Sequence, residues 1–411
     1  MLATANSSAA APRVNMTKAR PVGQRVTAPS DHGLATLTLD QGLQQDVQTL
    51  LQRSRAPEAA AVVIEVRTGK ILAWASVDAK GRDLVSQPYA PPASLFKVVT
   101  AASLIEHANI PNHQRQCYVG GKRSVLLDNL RDNGAGGATC STFGTAVGYS
   151  QNMVIAGLAV RYLTPSQLTS MSRKLGLNGR VPIDVVVGAG SSSVPTGKEA
   201  MAKAAAGFGP GTLTPLEAAY MMTVLARNGV RPALQLVQRI TDASGRTLTT
   251  ERTATDTTRA VSTQSAQRLQ RLLEVTTTQG TAAKSFRDAQ GRRYLGRYQG
   301  AGKTGTLTRG NPQRLFTWYA GYAPANNPEI AVAVMVANEQ TWWRKGPEVA
   351  RDVLRSYFAR NRVAGVSHPI RSSVAQNAKG APAAQSAENS QITRGSRSTH
   401  DTRSAQNDNK P

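Results

Sequence analysis

The chain has 411 residues, 40% of them hydrophobic, enough for one large domain or two smaller ones and neither a fibre nor a repeat array. Its formal net charge is +24, and the ends do not account for it: residues 1–33 hold four basic residues against one acid, and 361–411 hold seven against three. The body is therefore basic, which favours an anionic partner. Nucleic acid is disfavoured, because aromatics are 5% of the chain and there is no Arg/Lys-rich helix, zinc-ligand spacing or paired-aromatic RNA motif.

No apolar run approaches the ~18–20 residues that cross a bilayer. Residues 1–12, MLATANSSAAAP, lack the basic and Leu-rich regions of a signal peptide, so the sequence as given shows no export route. Residues 1–33 are rich in Ala, Ser and Pro without apolar periodicity and read as a flexible lead-in. The body is expected to run from 34 to 362. It opens with two β-branched runs in AAAVVIEVRTGKILAWASV (59–77), a hairpin about Thr68-Gly69.

Next comes PPASLFKVVTAASLIE (91–106). The prolines suit the first turn of a helix, where a missing N–H costs little, and the apolar residues that follow leave almost no polar face. Ser94 and Lys97, nearly one turn apart, share a face near the positive end of the helix. That arrangement suits a serine activated by a desolvated amine. A Ser-x-x-Lys pair is nevertheless expected about once by chance in a chain this long.

Cys117 and Cys140 flank a Gly-rich loop. An exported protein can join them, and two unpaired structural cysteines are the alternative. In GYSQN (148–152), Ser150 and Asn152 stand at the start of a second apolar helix, where helix capping by Ser150 would explain the serine without chemistry. A third helix spans TPLEAAYMMTVLARNG (214–229), with Thr214 as cap, Pro215 first and Gly229 as stop. A fourth ends at Gly280.

GAGKTGTLTRG (300–310) invites a phosphate-loop reading. The first glycine would have to stand at 297, which is Arg297, and the following residues lack helical period. The alternative places Lys303-Thr304-Gly305 on a strand edge. There Gly305 admits a ligand backbone, Thr304 and Thr306 offer hydroxyls, and Lys303 supplies charge for a carboxylate. FTWYAGYAP and EIAVAVMVAN then form a hairpin, PEVARDVLRSYFARN a last helix, and 363–411 a polar tail expected to be disordered. Strands at both ends with helices between them predict an α+β fold: a central antiparallel sheet flanked by helices, plus a mostly helical subdomain.

Ser-x-x-Lys, Ser-x-Asn and Lys-Thr-Gly in this order and context form the set found in penicillin-binding proteins and class A β-lactamases. From about Ala59 to Phe358 the chain resembles the penicillin-binding protein transpeptidases, with further similarity in AAGFGPGTLTPLEAAYMMTVLARNG and in QGTA (279–282). The resemblance implies a D,D-transpeptidase that needs no cofactor or metal and acts on peptidoglycan stem peptides at the outer face of the cytoplasmic membrane or in the periplasm. It also implies acylation by β-lactam antibiotics and contact with other cell-wall synthesis or division proteins. Ser94 would be the nucleophile, Lys97 the base and Ser150 the proton relay. Asn152 would hold the substrate amide, and Lys303, Thr304, Gly305 and Thr306 would form the carboxylate-binding strand. The N–H groups of Ser94 and Thr306 would make the oxyanion hole. The cysteine spacing is similar to that of some members, which implies a Cys117–Cys140 disulfide. Phe208, Tyr149 and Trp318 are candidates to line the cleft, although each is more often core than contact.

A D,D-carboxypeptidase or serine β-lactamase shares these motifs, and a scaffolding module with weak catalysis is an alternative of another class. A class A β-lactamase would carry a deacylating glutamate in a Glu-x-x-Leu-Asn loop. None of Glu199, Glu217, Glu251 and Glu274 begins such a segment.

Overall fold

The computed structural model describes residues 11–120, 125–130, 137–179, 181–248, 258–310, 313–339 and 343–363. The tail beyond Val363, the first ten residues and Glu251 therefore lie outside the described residues. In chain order the first elements are β1 (Arg20–Val22), β2 (Arg25–Ser30), β3 (Gly33–Leu37), α1 (Gln41–Gln52), β4 (Glu58–Glu65) and β5 (Ile71–Asp78). Then follow α2 (Phe96–Ala108), β6 (Arg115–Tyr118), β7 (Thr139–Thr142), α3 (Phe143–Gly148), α4 (Asn152–Tyr162) and α5 (Pro165–Lys174). The middle of the chain supplies β8 (Ser191–Ser192), α6 (Lys198–Lys203), β9 (Gly211–Thr212), α7 (Pro215–Ala226), β10 (Val237–Thr241) and β11 (Thr247–Leu248). The last segment holds α8 (Thr263–Thr278), α9 (Ala283–Phe286), β12 (Ala301–Arg309), β13 (Arg314–Ala323), β14 (Ile330–Asn338) and α10 (Gly346–Val363).

The central sheet has the order β12-β13-β14-β4-β5, antiparallel throughout. Its strands are apolar on both faces because both are covered. Alternation along β14 sorts the residues: Ala331, Ala333, Met335 and Ala337 face one core with α2 and α7, while Ile330, Val332, Val334 and Val336 face a second core with α1 and α10. The small residues let the fully buried α7 approach its face closely. On the other face α1 presents Leu43, Val47 and Leu51 at helical spacing, and its start is capped by Asp40 Oδ1, which accepts from the Leu43 N–H at 2.7 Å. Gln44 exchanges two hydrogen bonds with the backbone of Trp74 and thereby covers part of the free edge of β5.

The lead-in expectation is corrected. Residues 20–37 form three strands of a second sheet, ordered β1-β2-β3-β10-β11, so the ordered body starts well before residue 34. Val26, Ala28, Ala35 and Leu37 enter the main core; the apolar residues are few and small, and β10 supplies the partner from some 200 positions away. β6 and β7 pair with Cys117 opposite Cys140, and the two are joined by a disulfide. No helix among the described residues is long and apolar enough to cross a membrane.

Candidate active site

Pro91 and Pro92 lead into a 3-10 turn, Ala93–Leu95, that runs directly into α2. This turn is clamped from three sides. Trp318 Nε1 on β13 donates to the Pro91 carbonyl at 3.0 Å. Gly207 sits at φ +93°, and a Cβ there would lie 2.2 Å from the Ala93 carbonyl oxygen. On the third side β12 runs beside the turn: a Cβ on Gly305 would stand in van der Waals contact with that of Ala93, at 3.4 Å, and more tightly against Trp318, at 3.2 Å. Ala93 itself takes φ +48°, a conformation unfavourable for an L-residue and held by these contacts.

Ser94 is half-buried in this turn, and Lys97 Nζ lies 2.7 Å from its Oγ. Lys97 is wholly buried, and its amine donates to the Ala206 carbonyl at 2.6 Å. Burial and, secondarily, the charge of Lys303 hold its pKa well below the ordinary lysine value. A neutral amine has a lone pair, so in that state it is able to accept the Ser94 hydroxyl proton while still donating to Ala206. The Ala206 carbonyl is available because Ala204–Phe208 winds as a wide π turn, and Thr100 Oγ1 holds the neighbouring Ala205 carbonyl at 2.8 Å.

Lys303, Thr304, Gly305 and Thr306 lie on β12, the edge strand of the central sheet, which leads on into β13 rather than a helix. The pleat divides them. Lys303 pairs with Ala320 and Gly305 with Trp318, both in the α2-side core, whereas Thr304 pairs with Tyr319 of the opposite core. Lys303 thus belongs with Ser94 and Lys97, and the two threonines share the other alternation, with Thr306 exposed. Lys303 is wholly buried, donates to the Thr304 carbonyl at 2.9 Å, and burial lowers its pKa to about 7. Thr304 Oγ1 is 2.6 Å from Thr281 Oγ1. Thr281 belongs to the QGTA turn, a segment noticed in the sequence without a role for this residue.

Ser150 and Asn152 stand at the start of α4, but the capping expectation for Ser150 is corrected. The residue in the capping position is Gln151, and Ser150 has φ +57°. That backbone region is unfavourable for a residue with a side chain. The turn is braced by α8: a Cβ on Gly280 would meet the Gly148 carbonyl at 2.1 Å, and the Thr281 N–H donates to that carbonyl at 3.2 Å. The QGTA turn therefore links the Ser150 turn to β12. Of the aromatic candidates, Phe208 and Tyr149 are exposed, while Trp318 is fully buried, the core alternative. Sequence reasoning also missed the Ala206 carbonyl, because a backbone acceptor leaves no mark on residue type. Among the described residues no group of three or more His, Cys, Asp or Glu could hold a metal.

Residues 59–357 match the penicillin binding protein transpeptidase domain. Penicillin-binding protein PbpB of Mycolicibacterium smegmatis is 26% identical over 74% of this chain and 50% of its own length. Peptidoglycan D,D-transpeptidase PbpA of the same organism is 29% identical over 61% of this chain and 50% of its own. The chain thus spans about half the length of these relatives. Penicillin-binding protein 3 of Mycobacterium tuberculosis in complex with aztreonam superposes with a TM-score of 0.65 at 25% identity, covering 80% of this chain and 79% of that one. With the family match covering most of the ordered body and the same fold in its structural neighbours, the chain belongs to the penicillin-binding protein transpeptidase family.

Proposed function

We propose that the protein is a peptidoglycan D,D-transpeptidase that works through an acyl-enzyme on Ser94. The observation that carries this reading is the 2.7 Å Ser94–Lys97 pair, with the amine buried and held toward its neutral form. Neutral Lys97 takes the hydroxyl proton as Ser94 Oγ attacks the carbonyl between the terminal D-alanines of a stem peptide. The developing oxyanion is held by the N–H groups of Ser94 and Thr306, each donor worth about 3 kcal/mol in such sites. The C–N bond breaks, Ser150 passes the proton to the departing nitrogen, and D-alanine leaves. Asn152 holds the substrate amide. Thr304 and Thr306 hold the terminal carboxylate by hydroxyls, and Lys303 acts on it through its field. An amine of a neighbouring stem then attacks the ester, and Ser94 is released.

The reading includes action at the outer face of the cytoplasmic membrane or in the periplasm, where the Cys117–Cys140 disulfide would persist. Rapid hydrolysis of the class A β-lactamase kind needs a carboxylate base dedicated to water, beyond the acylating amine. Glu217 is engaged elsewhere: its carboxylate accepts from the Gly190 and Thr214 N–H groups, both at 2.9 Å, and completes a capping box. Glu199 pairs with Lys203. These occupied carboxylates favour a transpeptidase over a β-lactamase, and the assembled Ser94–Lys97 pair favours an enzyme over a scaffold. The test is intact-protein mass after exposure to a penicillin. One adduct, absent in Ser94→Ala and persisting for many minutes after drug removal, is expected. Rapid recovery of the unmodified mass with many drug molecules hydrolysed would make the protein a β-lactamase, and equal labelling of Ser94→Ala would overturn the mechanism.

A further inference from the structure

Phe208 ends the wide turn Ala204–Phe208 and stands between Gly207, at φ +93°, and Gly209, which is extended. The segment cannot drift, because Gly207 is pressed on the Ala93 carbonyl. From this backbone the Phe208 ring reaches over the catalytic amine, its centroid 6.0 Å from Lys97 Nζ. The residue is 39% exposed and belongs to neither hydrophobic core. Beside it, the crevice lined by Pro92, Phe96, Ser193, Gly209 and Pro210 has about 10 Å³ of space, room for one water at most.

We propose that Phe208 is a positioning residue that sets the fate of the Ser94 acyl-enzyme: its ring keeps water from Lys97 and the ester, favouring transfer to an amine over hydrolysis. The proposal rests on the transpeptidase reading. In transfer, the acceptor nitrogen attacks the ester carbonyl, a C–N bond forms, the C–Oγ bond breaks, and the nitrogen's proton passes by Lys97 to Ser94 Oγ. In hydrolysis, water oxygen forms the new bond and a free carboxylic acid leaves. The same base serves both, so the base cannot discriminate. An apolar wall can, because water must shed hydrogen bonds to enter, whereas a peptide amine arrives with binding contacts of its own. Water at Lys97 would also stabilise the ammonium, which is no base. The ring face itself attracts a cation, but 6.0 Å is the outer limit of that effect, and burial is the largest cause of the amine's depressed pKa. The charged group that bears on the amine is Lys303, on β12.

The test uses the full chain with Phe208→Ala and Phe208→Leu. It reads the lifetime of the penicillin adduct, the ratio of transfer to hydrolysis with a D-Ala-D-Ala peptide and a glycine acceptor, and the pH midpoint of acylation. Phe208→Ala is expected to shorten the adduct lifetime about tenfold and tilt the ratio toward hydrolysis. It is also expected to raise the midpoint by about one unit, because a better-hydrated Lys97 keeps its proton to higher pH. Phe208→Leu should restore all three toward wild type. An unchanged lifetime, ratio and midpoint in Phe208→Ala, or a Leu variant no better than Ala, overturns the proposal alone. Failure of the wild type to form any adduct overturns the transpeptidase reading with it.

Discussion

Lys97 Nζ and Ser94 Oγ stand 2.7 Å apart, the amine wholly buried and anchored on the Ala206 carbonyl. Replacing the amine by an uncharged chain of similar reach separates chemistry from folding. In Lys97→Met the acylation rate by a fluorescent penicillin is expected to fall by about 10²–10⁴. The melting temperature should stay within a few degrees, since the stranded Ala206 carbonyl, costing about 1 kcal/mol, is offset by removal of a desolvated amine. Acylation at the wild-type rate would remove Lys97 from the mechanism.

The two buried lysines give opposite limbs to the pH dependence. In the proposed mechanism Lys97 acts as the neutral amine, so the rate is expected to rise as pH passes its depressed pKa. Lys303 attracts a carboxylate only when protonated, and that charge is lost as pH rises through about 7. The second-order acylation rate with a carboxylate-bearing β-lactam is therefore bell-shaped, with its descending limb near neutrality. In Lys303→Met the descending limb should vanish and the ascending limb move to higher pH, because the cation that helps deprotonate Lys97 is gone. A wild-type rate climbing steadily to pH 10 would contradict both assignments.

Gly207→Ala tests the clamp on the Ser94 turn. The new Cβ would lie 2.2 Å from the Ala93 oxygen, and φ +93° adds about 1–2 kcal/mol of backbone cost for an L-residue. Acylation is expected to fall by at least about 100-fold, equivalent to ~2.7 kcal/mol. Gly197→Ala, with φ −68° and no atom within reach of its Cβ, should acylate as the wild type does. Equal behaviour of the two variants would show that the turn tolerates displacement.

Thr281→Val removes the hydroxyl that orients Thr304 Oγ1 and little else, since Thr281 is exposed. Loss of one such bond is worth about 1 kcal/mol, so KM for a D-Ala-D-Ala peptide should rise roughly five-fold with kcat nearly unchanged. A fall in kcat at constant KM would assign Thr281 to the chemical step instead.

The disulfide closes a loop with a sequence separation of 23. The chain-entropy relation gives roughly 3 kcal/mol for a loop of this size. Denaturant unfolding of the Cys117→Ser, Cys140→Ser double variant should show a loss of that order, and thiol titration of the denatured, oxidised protein should find no free thiol. Two titratable thiols in protein recovered from an oxidising compartment would refute the pairing.

Local sequence carried much of this molecule. Apolar alternation marked β13 and β14, the Thr214-Pro215 cap and Gly229 bounded α7, and the Ser-x-x-Lys and Lys-Thr-Gly motifs named residues that the fold brings together. These features are legible because they are written within a few consecutive positions, where sterics and capping act directly. Tertiary structure decided the rest. β1 to β3 carry few large apolar residues and depend on pairing with β10, a contact between distant segments that local patterning does not encode. Ser150 departs from the helix cap that its position suggested, because the Gly148–Gly280 contact braces the turn in another conformation. The low pKa of Lys97 exists only once α2, the Ala204–Phe208 turn and β12 close around one amine, since burial and field are properties of the assembled site.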